Sequence, residues 1–378
     1  MNHIAAARAC LSVRSVGDEA AFLQLAPAWN ELAIRGCHRL FFRHGWFSAA
    51  WAWHRADAHL NILCVYSGDE LIGVLPLIRR RSVLGGQRAL EFLSVPDTQF
   101  CDLLVHDNNA AIVSQALATH LLTGSSLWDV LRLERLPAAS IASEILLPLL
   151  RASGTRCSLK PSDCNLFVAL EGSWEDYLAT RSRSLKKALN LASNRVLRAG
   201  PYEVERVTST STQATQLRQR LEEVVQVSGR SWKQKTGNTL EAARPRAFIE
   251  RLTDFAYRAG ALSIWLLRIH GRPVAMEYQV MHAEHVYALR SDFDHEHEHL
   301  SPGSFLSKCL LQALFAAGVR RYYMGPGRNL YKTRWSESGE PLYSLVAYSP
   351  TLRGRATALW PEDLKPSLRS LKARLTPF

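Results

Sequence analysis

The chain has 378 residues, which is too long for one ordinary hydrophobic core and predicts two domains. Hydrophobic residues make up 47% and charged residues 21% of it, a balance that is typical of folded globular proteins and excludes a disordered or fibrous chain. The formal net charge of +12 either serves solubility or favours anionic partners, namely phosphorylated cofactors, nucleic acid or lipid head groups.

Neither a membrane anchor nor a disulfide framework is expected. No stretch reaches the ~18 consecutive apolar residues that span a bilayer, and residues 1–16 lack the apolar segment of a signal peptide. The seven cysteines are scattered, and their spacings match no zinc site. We therefore expect a cytoplasmic protein with reduced thiols.

The first predicted element is a β-hairpin. Apolar runs at Leu60–Tyr66 and Leu71–Ile78 flank the turn Ser67–Glu70, and turn residues between two apolar runs are typical of a hairpin. Helical periodicity from Ala110 to Leu122 and a strand-like run from Trp128 to Leu133 follow. This order predicts a mixed sheet with helices packed on it.

The middle of the chain holds a basic segment. Trp174 to Arg198 is compatible with a helix that ends at Gly200, and it carries the cations Arg181, Arg183, Lys186, Lys187, Arg195 and Arg198. This surface is either a solvated helix face or a binding site for a nucleotide, a lipid phosphate or RNA. It lacks the aromatic residues that single-stranded RNA binding tends to use. A further helix is predicted from Thr215 to Val227.

The hairpin pattern returns about 200 residues after the first copy. Leu262–Ile269 and Val274–Met281 flank the turn His270–Pro273, and a helical segment from Gly303 to Ala317 and a strand from Arg320 to Met324 follow. Because the same elements occur twice in the same order, the sequence predicts a duplicated α/β fold. The period is far too long for a solenoid.

We place the boundary between the two copies near residue 160. The predicted domains are an N-terminal half of residues 1–160 and a C-terminal half of residues 161–349. Residues 350–378 are predicted to form a basic amphipathic tail that contains Trp360 and several leucines. Such a segment can associate with a membrane surface.

Three segments of the second copy are candidates for chemistry, and the first is Leu300–Phe305. Ser301 is placed to cap a helix, Pro302 suits the first turn, and Gly303 lets a ligand approach the backbone. A helix N-terminus presents free N–H groups that bind anions. The segment therefore predicts either a phosphate site formed by Ser301, Gly303 and Ser304 or an ordinary capped helix.

The second candidate is the loop Gly325–Trp335, which follows the last predicted strand. It concentrates Arg328, Tyr331 and Lys332 just beyond a strand end, where open α/β sheets bind ligands. Tyr331 and Lys332 can orient a carbonyl group or neutralise developing negative charge, and Arg328 is assigned to binding a phosphorylated cofactor. The alternative is a solvated basic loop.

Glu277 is the third candidate. It lies in the predicted strand Val274–Met281 between apolar neighbours. If it is buried there, its carboxyl has a raised pKa and can accept a proton from an amine, directly or through water. The alternative is an outward-facing residue on a strand whose side chains alternate.

A metal site is not expected. The segment with Asp292, Asp294, His295, His297 and His299 has the residue types of a zinc site, but it has neither a cysteine pair nor helical histidine spacing. The sequence also lacks the motifs of a Ser-His-Asp hydrolase, a P-loop and a dinucleotide-binding fold.

The order and spacing of several short motifs resemble the GNAT-type acetyltransferases associated with cellulose or exopolysaccharide biosynthesis. The motifs are Gly73–Leu77, Phe100–Leu104, Ser173–Tyr177, Gly271–Ala275, Tyr287–Phe293, Ser301–Gly303 and Gly325 with Tyr331–Lys332. The resemblance covers the chain from about Phe41 to Leu345. It implies two tandem GNAT-like domains of mixed α/β sheets and acetyl-CoA as the acyl donor.

The layout is also similar to that of the Fem-type aminoacyl transferases, which have two GNAT-like halves and use aminoacyl-tRNA and a peptidoglycan precursor. This second resemblance implies a functional lysine at Lys332. One segment departs from ordinary GNAT enzymes, because their Gln/Arg-x-x-Gly-x-Gly/Ala phosphate loop is replaced by His297–Ser304, which keeps one glycine.

These features predict an acyltransferase that moves an acyl group from acyl-CoA to an amine or hydroxyl acceptor, and the resemblance implies that the group is acetyl. For the acceptor, the resemblance implies an amino sugar or another cell-envelope precursor. Two alternatives stay open: a Fem-like aminoacyl transferase that binds charged tRNA, and a non-catalytic partner of polysaccharide assembly that contacts a membrane surface.

Overall fold

The strands of both halves join one continuous mixed sheet. The computed structural model describes residues 11–36, 39–81 and 86–359. The first strands are β1 (Leu11–Val16), β2 (His59–Ser67), β3 (Glu70–Arg81), β4 (Arg88–Phe92), β5 (Leu104–Val105), β6 (Val130–Pro137) and β7 (Arg156–Ala169). They are followed by β8 (Tyr202–Thr208), β9 (Leu262–Ile269), β10 (Arg272–His282), β11 (His285–Phe293), β12 (Arg321–Pro326) and β13 (Gly339–Tyr348).

Helices cover both faces of this sheet. In the N-terminal half they are α1 (Glu19–Gln24), α2 (Ala26–Gly36), α3 (His44–His54), α4 (Ala110–Thr123) and α5 (Leu147–Ala152). In the C-terminal half they are α6 (Trp174–Ala179), α7 (Arg183–Ala199), α8 (Ala214–Gly229), α9 (Ala243–Arg258), α10 (Pro302–Ala316), α11 (Leu330–Thr333) and α12 (Leu352–Leu359).

The strand order confirms the predicted duplication. It runs β1-β2-β3-β4-β6-β13-β7-β12-β11-β10-β9-β8, with β5 beside β3. Each half contributes four antiparallel strands, β1–β4 or β8–β11, and then one strand that pairs in parallel, β6 or β12. The last strands are exchanged between the halves, because β13 pairs with β6 while β7 pairs with β12.

Both predicted hairpins are present. β2 and β3 form the first and β9 and β10 the second. The turns contain Gly68 with φ +61° and Gly271 with φ +75°, a backbone region that glycine adopts without the steric cost that a Cβ imposes. The hairpin positions were therefore predictable from turn chemistry and alternating apolar runs.

Helices α1–α3, α8 and α9 share one core on one face of the sheet, and this core joins the two halves. Trp46 of α3 packs edge-on against Phe248 of α9, with ring centroids 5.5 Å apart. On the other face, α4 and α5 cover the N-terminal half, and α6, α7 and α10 cover the C-terminal half. The two halves are thus held together by buried aromatic contacts as well as by the sheet.

The basic segment forms two helices rather than one. The Ser173 hydroxyl caps α6 by accepting from the Asp176 amide at 3.0 Å, and the Ser182 hydroxyl caps α7 by accepting from the Leu185 amide at 3.2 Å. Such N-caps start helices because they satisfy amides that lack an intrahelical partner. Helix α7 ends before Gly200, whose φ is +126°.

Residue 160, where the sequence analysis divides the halves, lies inside β7. Of the predicted tail, residues 350–359 include α12, whereas residues 360–378 lie outside the described residues. Among the described helices, none combines the length and the apolar composition that a bilayer span requires.

Candidate active site in the C-terminal half

The parallel strands β11 and β12 pair over three positions and then continue past their pairing. The pairs run from His285 with Arg321 to Tyr287 with Tyr323. On its other side, β11 has a register shift against β10 near Ala288, and such a bulge bends the strand that carries it. This geometry opens the sheet between the two strands.

A side chain from the N-terminal half reaches into this opening. Gln99 is 1% exposed, and its Nε2 donates to the Ala288 carbonyl oxygen at 2.8 Å. Its Oε1 accepts from Asn165 Nδ2 of β7 at 3.0 Å. The Gln99 amide therefore makes the contact to β11 that a neighbouring strand would otherwise make.

Lys332 lies at the same opening. Its Nζ donates to the carbonyl oxygens of Gly325 and Pro326, both at 2.8 Å. A Cβ at Gly325 would lie 3.6 Å from the Ala288 oxygen and 3.8 Å from both Lys332 Nζ and Gln99 Nε2. The end of β12 therefore gathers an amine, an amide and a carbonyl group around a glycine.

Burial lowers the pKa of Lys332 to about 8, with the charge of Asp163 acting in the opposite direction. Desolvation disfavours the charged form of an amine, so the side chain titrates near neutral pH instead of well above it. Perturbed groups of this kind are typical of functional sites, although structural ion pairs perturb pKa values too.

Glu277 is buried rather than outward-facing, with 2% exposure, so the alternative interpretation of this residue is wrong. Its Oε1 accepts from the Tyr322 hydroxyl at 2.6 Å and from Gln279 Nε2 at 2.7 Å. Burial raises the pKa of the carboxyl to about 7, and the two hydrogen bonds oppose that shift. A carboxyl with this pKa can act as a general base near neutral pH.

Tyr331 connects the loop after β12 to the first turns of α10. Its hydroxyl lies 2.7 Å from Ser307 Oγ, and Ser307 Oγ donates to the Gly303 carbonyl oxygen at 2.8 Å. Burial, followed by the charge of Glu277, raises the pKa of Tyr331. The structure thus brings Gly303, Tyr331 and Glu277 into one neighbourhood.

The predicted phosphate site has fewer free amides than expected. Ser301 occupies the N-cap position, as predicted, with φ +56°, but its side chain accepts no capping hydrogen bond. The amides of Ser304 and Phe305 donate to the Ser301 carbonyl oxygen, and Pro302 has no N–H. In this first turn, Gly303 offers its amide, and Arg195 reaches Ser301 Oγ at 3.4 Å.

Arg328 is exposed on the loop that precedes α11. At the other end of α11, the Arg334 guanidinium lies 5.6 Å from the centre of the Tyr331 ring. The loop is therefore basic at its surface, while Lys332 is directed inward. Arg328 and the α10 N-terminus stay separate candidates for contacts to a donor phosphate.

Asp294, Glu296 and His297 have side-chain atoms within 4.8 Å of one another. However, Asp294 Oδ2 accepts from Arg230 Nε at 2.7 Å and from Arg272 Nη2 at 2.9 Å. Two guanidinium groups already neutralise this carboxylate, and their charges oppose a cation there. The cluster is therefore explained as an ion-pair network that holds the segment after β11.

Two cavities lie away from these residues. One, of about 310 Å³, is lined by His44, Arg251 and Asp254 between α3 and α9. The other, of about 620 Å³, is lined by Val13, Ile112 and neighbouring residues of β1 and α4. Neither cavity includes Lys332, Glu277 or Gly303, so the candidate site rests on converging side chains and on the opening of the sheet.

Sequence reasoning missed Gln99, Asn165 and Tyr322. Gln99 closes the polar run Asp97–Gln99 between two apolar segments, and that pattern is the signal that could have marked a buried polar segment. Asn165 and Tyr322 sit in β7 and β12, and their partners come from distant parts of the chain. Only the arrangement of strands reveals these contacts.

Residues 183–333 match the family model described as an acetyltransferase (GNAT) domain. The matched segment contains α7, β8–β12 and α10, together with Glu277, Gly303 and Lys332. The C-terminal half therefore contains a GNAT acetyltransferase-like domain. No protein with a curated description matches the sequence.

Solved structures share the fold over most of this chain. FemX has a TM-score of 0.54 at 12% identity, covering 92% of this chain and 99% of its own. The C-terminal domain (DUF2156) of a protein named as a lysylphosphatidylglycerol synthetase, from Agrobacterium fabrum, has a TM-score of 0.53 at 13% identity, covering 89% and 96%. A conserved protein of unknown function from Bacteroides thetaiotaomicron has a TM-score of 0.52 at 11% identity, covering 89% and 100%. At these identities the likeness establishes the fold alone.

Proposed function

We propose that the chain is an acyltransferase whose C-terminal half moves an acyl group, acetyl in the simplest case, from acyl-CoA to an amine or hydroxyl acceptor. One observation carries the proposal. Lys332, with a pKa of about 8, is hydrogen-bonded to the carbonyl oxygens at the end of β12, and Glu277, with a pKa of about 7, is hydrogen-bonded to Tyr322 of the same strand, in the half that matches an acetyltransferase model. A base and a cation with these pKa values suit proton transfer and charge stabilisation at neutral pH.

Lys332 is proposed to stabilise the oxyanion. An ammonium group has three N–H donors, and two of them bond the carbonyl oxygens of Gly325 and Pro326. The third can donate to the thioester oxygen as negative charge develops on it. Because the other two bonds fix the position of Nζ, little reorganisation is needed when the charge appears.

Glu277 is proposed to receive the acceptor's proton. As the acceptor nitrogen or oxygen bonds to the acyl carbon, the carbon–sulfur bond breaks and the thiolate leaves. The acceptor's proton then passes through the Tyr322 hydroxyl, which already donates to Glu277 Oε1. Tyr331, held by Ser307, is placed to orient the acceptor or the acyl carbonyl.

The donor's phosphates are proposed to lie near Ser301, Gly303 and Ser304 at the start of α10, with Arg328 as a further contact. Exposed cations on α7 also favour an anionic donor. For the acceptor, the sequence resemblance favours an amino sugar or another precursor of the cell envelope or of an exopolysaccharide. We propose that the protein acts in the cytoplasm, where acyl-CoA is available.

Titration calorimetry with acetyl-CoA tests the donor. We expect saturable binding by the wild type and by Lys332→Ala, because Lys332 acts on the transition state rather than on the phosphates. Release of CoA thiol in the presence of amino-sugar acceptors then tests the reaction. Binding without release in any acceptor mixture would contradict catalysis, and no binding at all would contradict acyl-CoA as the donor.

Aminoacyl transfer from charged tRNA is a second candidate, and one observation favours it. The first turn of α10 offers few amides to a pyrophosphate, whereas α7 exposes Arg183, Lys187, Arg195 and Arg198. This function predicts a tRNA complex whose affinity falls steeply with salt. Failure to bind either acetyl-CoA or tRNA would leave the third alternative, a non-catalytic partner in polysaccharide assembly.

A further inference from the structure

We propose that α7 and the loop Arg328–Arg334, which contains the short helix α11, form one surface that docks the C-terminal half on a bilayer containing anionic lipid. We call this surface the basic face. It is distinct from the amphipathic tail and does not depend on the nature of the acyl donor. The proposal goes beyond the function above, because it concerns where the protein works rather than which reaction it performs.

The basic face carries no compensating acid in its own sequence segments. Residues 177–202 and residues 299–336 contain no aspartate or glutamate. Within them, the cations that the structure exposes are Arg183, Lys187, Arg195, Arg198, Arg320, Arg328 and Arg334. Arg320 lies outside the basic face and is paired with Glu284 at 2.7 Å. A concentration of one sign of charge on one face attracts an anionic surface over a distance of about a Debye length.

The two parts of the basic face are joined by hydrogen bonds. At the junction between α6 and α7, Arg181 Nη1 donates to the Trp335 carbonyl oxygen at 2.7 Å, and the Tyr177 hydroxyl donates to the same oxygen at 2.6 Å. Trp335 directly follows the loop and is 2% exposed. The loop is therefore fixed beside the start of α7, and the cations of both segments act together.

Exposed leucines interrupt this charge. Leu330, in the loop, is 87% exposed, and Leu191 and Leu197 of α7 are 45% and 56% exposed. The apolar stripe of α7, which includes Leu185, Leu189, Ala192 and Val196, is already buried against the domain. The exposed leucines are thus additional to the core-facing stripe.

This combination favours a lipid surface over RNA. A phosphate backbone can pair with the cations but offers no apolar phase for Leu330, whereas the head-group region of a bilayer accepts both. Binding of single-stranded RNA also tends to use several exposed aromatic rings as stacking platforms. Helix α7 contains no aromatic residue, and the segment Arg328–Arg334 contains one, Tyr331, whose side chain is 38% exposed.

Docking through the basic face would bring the candidate site to the membrane surface. Leu330 directly precedes Tyr331 and Lys332 in the chain, and Arg195 of α7 contacts Ser301 at the start of α10. An acceptor held by a lipid anchor would then diffuse in two dimensions to the opening beside Lys332. The same surface would explain the exposed leucine next to the candidate site.

Vesicle co-sedimentation of the full chain tests the proposal. The vesicles are phosphatidylcholine alone and phosphatidylcholine mixed with phosphatidylglycerol. We expect the wild type to bind the mixed vesicles and to be released as salt rises. The double variant Arg183→Glu with Lys187→Glu should bind at least about tenfold more weakly, since each basic residue near an anionic surface contributes about fivefold.

The matched control is Arg218→Glu with Arg258→Glu. Both residues are exposed, on α8 and α9, which pack on the opposite face of the sheet. This variant changes net charge by the same amount and should bind like the wild type. Leu330→Ser should weaken binding a few-fold while its salt dependence stays, because it removes only the apolar contact. Thermal unfolding of each variant confirms that it is folded.

Several outcomes would overturn the proposal. They are failure of the wild type to bind the mixed vesicles, equal binding to phosphatidylcholine alone, and equal losses in the two double variants. A fourth is measured with total tRNA as a competitor. If tRNA binds more tightly than the vesicles and its binding is lost in the Arg183→Glu, Lys187→Glu variant, the basic face is a nucleic-acid site instead.

Discussion

The two halves of the molecule share a strand order, but they differ at the position where the two parallel strands of each half stop pairing. In the N-terminal half, β4 and β6 pair in parallel over Ala89–Glu91 and Val130–Arg132. Beyond these pairs, a backbone segment of the same half lies beside β6, where the Cys101 amide donates to the Arg135 carbonyl oxygen at 3.0 Å. In the C-terminal half, the corresponding opening between β11 and β12 is lined by the side chains of Gln99 and Lys332.

The polar groups at the two openings also differ in their hydrogen-bond partners. Arg135 has φ +60°, and its Nη1 donates to the Val95 carbonyl oxygen at 2.8 Å. Asp102, whose pKa burial raises to about 6, accepts from the amides of Ile141 and Ala142. These groups bond to the backbone of their own half. Lys332 uses two of its three N–H donors for backbone carbonyl oxygens, and the third can donate to a ligand. We therefore interpret the N-terminal half as a support and the C-terminal half as the one that holds the candidate site.

The largest expected effect tests whether the C-terminal half is the reactive one. Glu277→Gln keeps the shape of the side chain and an acceptor for the Tyr322 hydroxyl, but it cannot take up a proton. We expect kcat/KM for CoA release to fall about a hundredfold, which is the usual range for loss of a general base. Unchanged kinetics in a folded variant would remove Glu277 from the mechanism.

The pH dependence of this variant's free energy of unfolding provides a control, because it reports on the same protonation of Glu277. The pKa of Glu277 is about 7 in the folded protein against 4.5 ordinarily, so protonation favours folding. That contribution is complete below pH 4.5 and is lost as pH rises through 7. Because glutamine does not titrate, the free energy of unfolding of the variant relative to wild type should rise by about 3 kcal/mol between pH 4.5 and 8. Denaturant titrations at both pH values measure this difference.

The second effect concerns Lys332. Lys332→Ala should lower kcat at least about tenfold, because it removes a charge that stabilises the transition state. Lys332→Arg should recover part of the loss, since arginine keeps the charge with a different geometry. Steady-state kinetics on both variants, with acetyl-CoA binding as the reference, separate loss of chemistry from loss of binding.

The pH profile of the wild type follows from the same two groups. Glu277 must be deprotonated and Lys332 protonated, so activity should rise with pH through about 7 and fall through about 8. The resulting pH profile is bell-shaped and narrow, and kcat/KM should drop several-fold at pH 6 and at pH 9. In Lys332→Arg the fall at high pH should disappear, and its persistence would assign that limb to another group.

The sequence predicted the duplicated fold well because its signals are local. Both hairpins follow from turn residues between apolar runs, and α7, α8 and α10 follow from helical periodicity. Glu277 and Lys332 could be selected because each stands out in its own segment. Gln99 could not, since its role depends on a loop of one half entering the sheet of the other, and no local pattern encodes that distance.

The smallest effect addresses the contact that connects the halves. Gln99→Ala leaves the Ala288 carbonyl oxygen and Asn165 Nδ2 without their partner, and Arg135→Ala removes the guanidinium that donates to the Val95 and Thr98 carbonyl oxygens in the N-terminal opening. Both variants should lose about 1–3 kcal/mol of unfolding free energy, the range for a buried polar group without a partner and for a lost hydrogen bond from a charged donor. Chemical denaturation measures this loss.

The two variants should differ in their kinetics even though they lose a similar amount of stability. Gln99 lies beside Lys332 Nζ around Gly325, so Gln99→Ala should lower kcat a few-fold and displace the high-pH limb of the profile. Arg135→Ala should leave both unchanged per folded molecule, because it lies in the supporting half. A displaced high-pH limb in Arg135→Ala would show that the N-terminal opening is coupled to Lys332. That result would contradict the interpretation of the N-terminal half as a support.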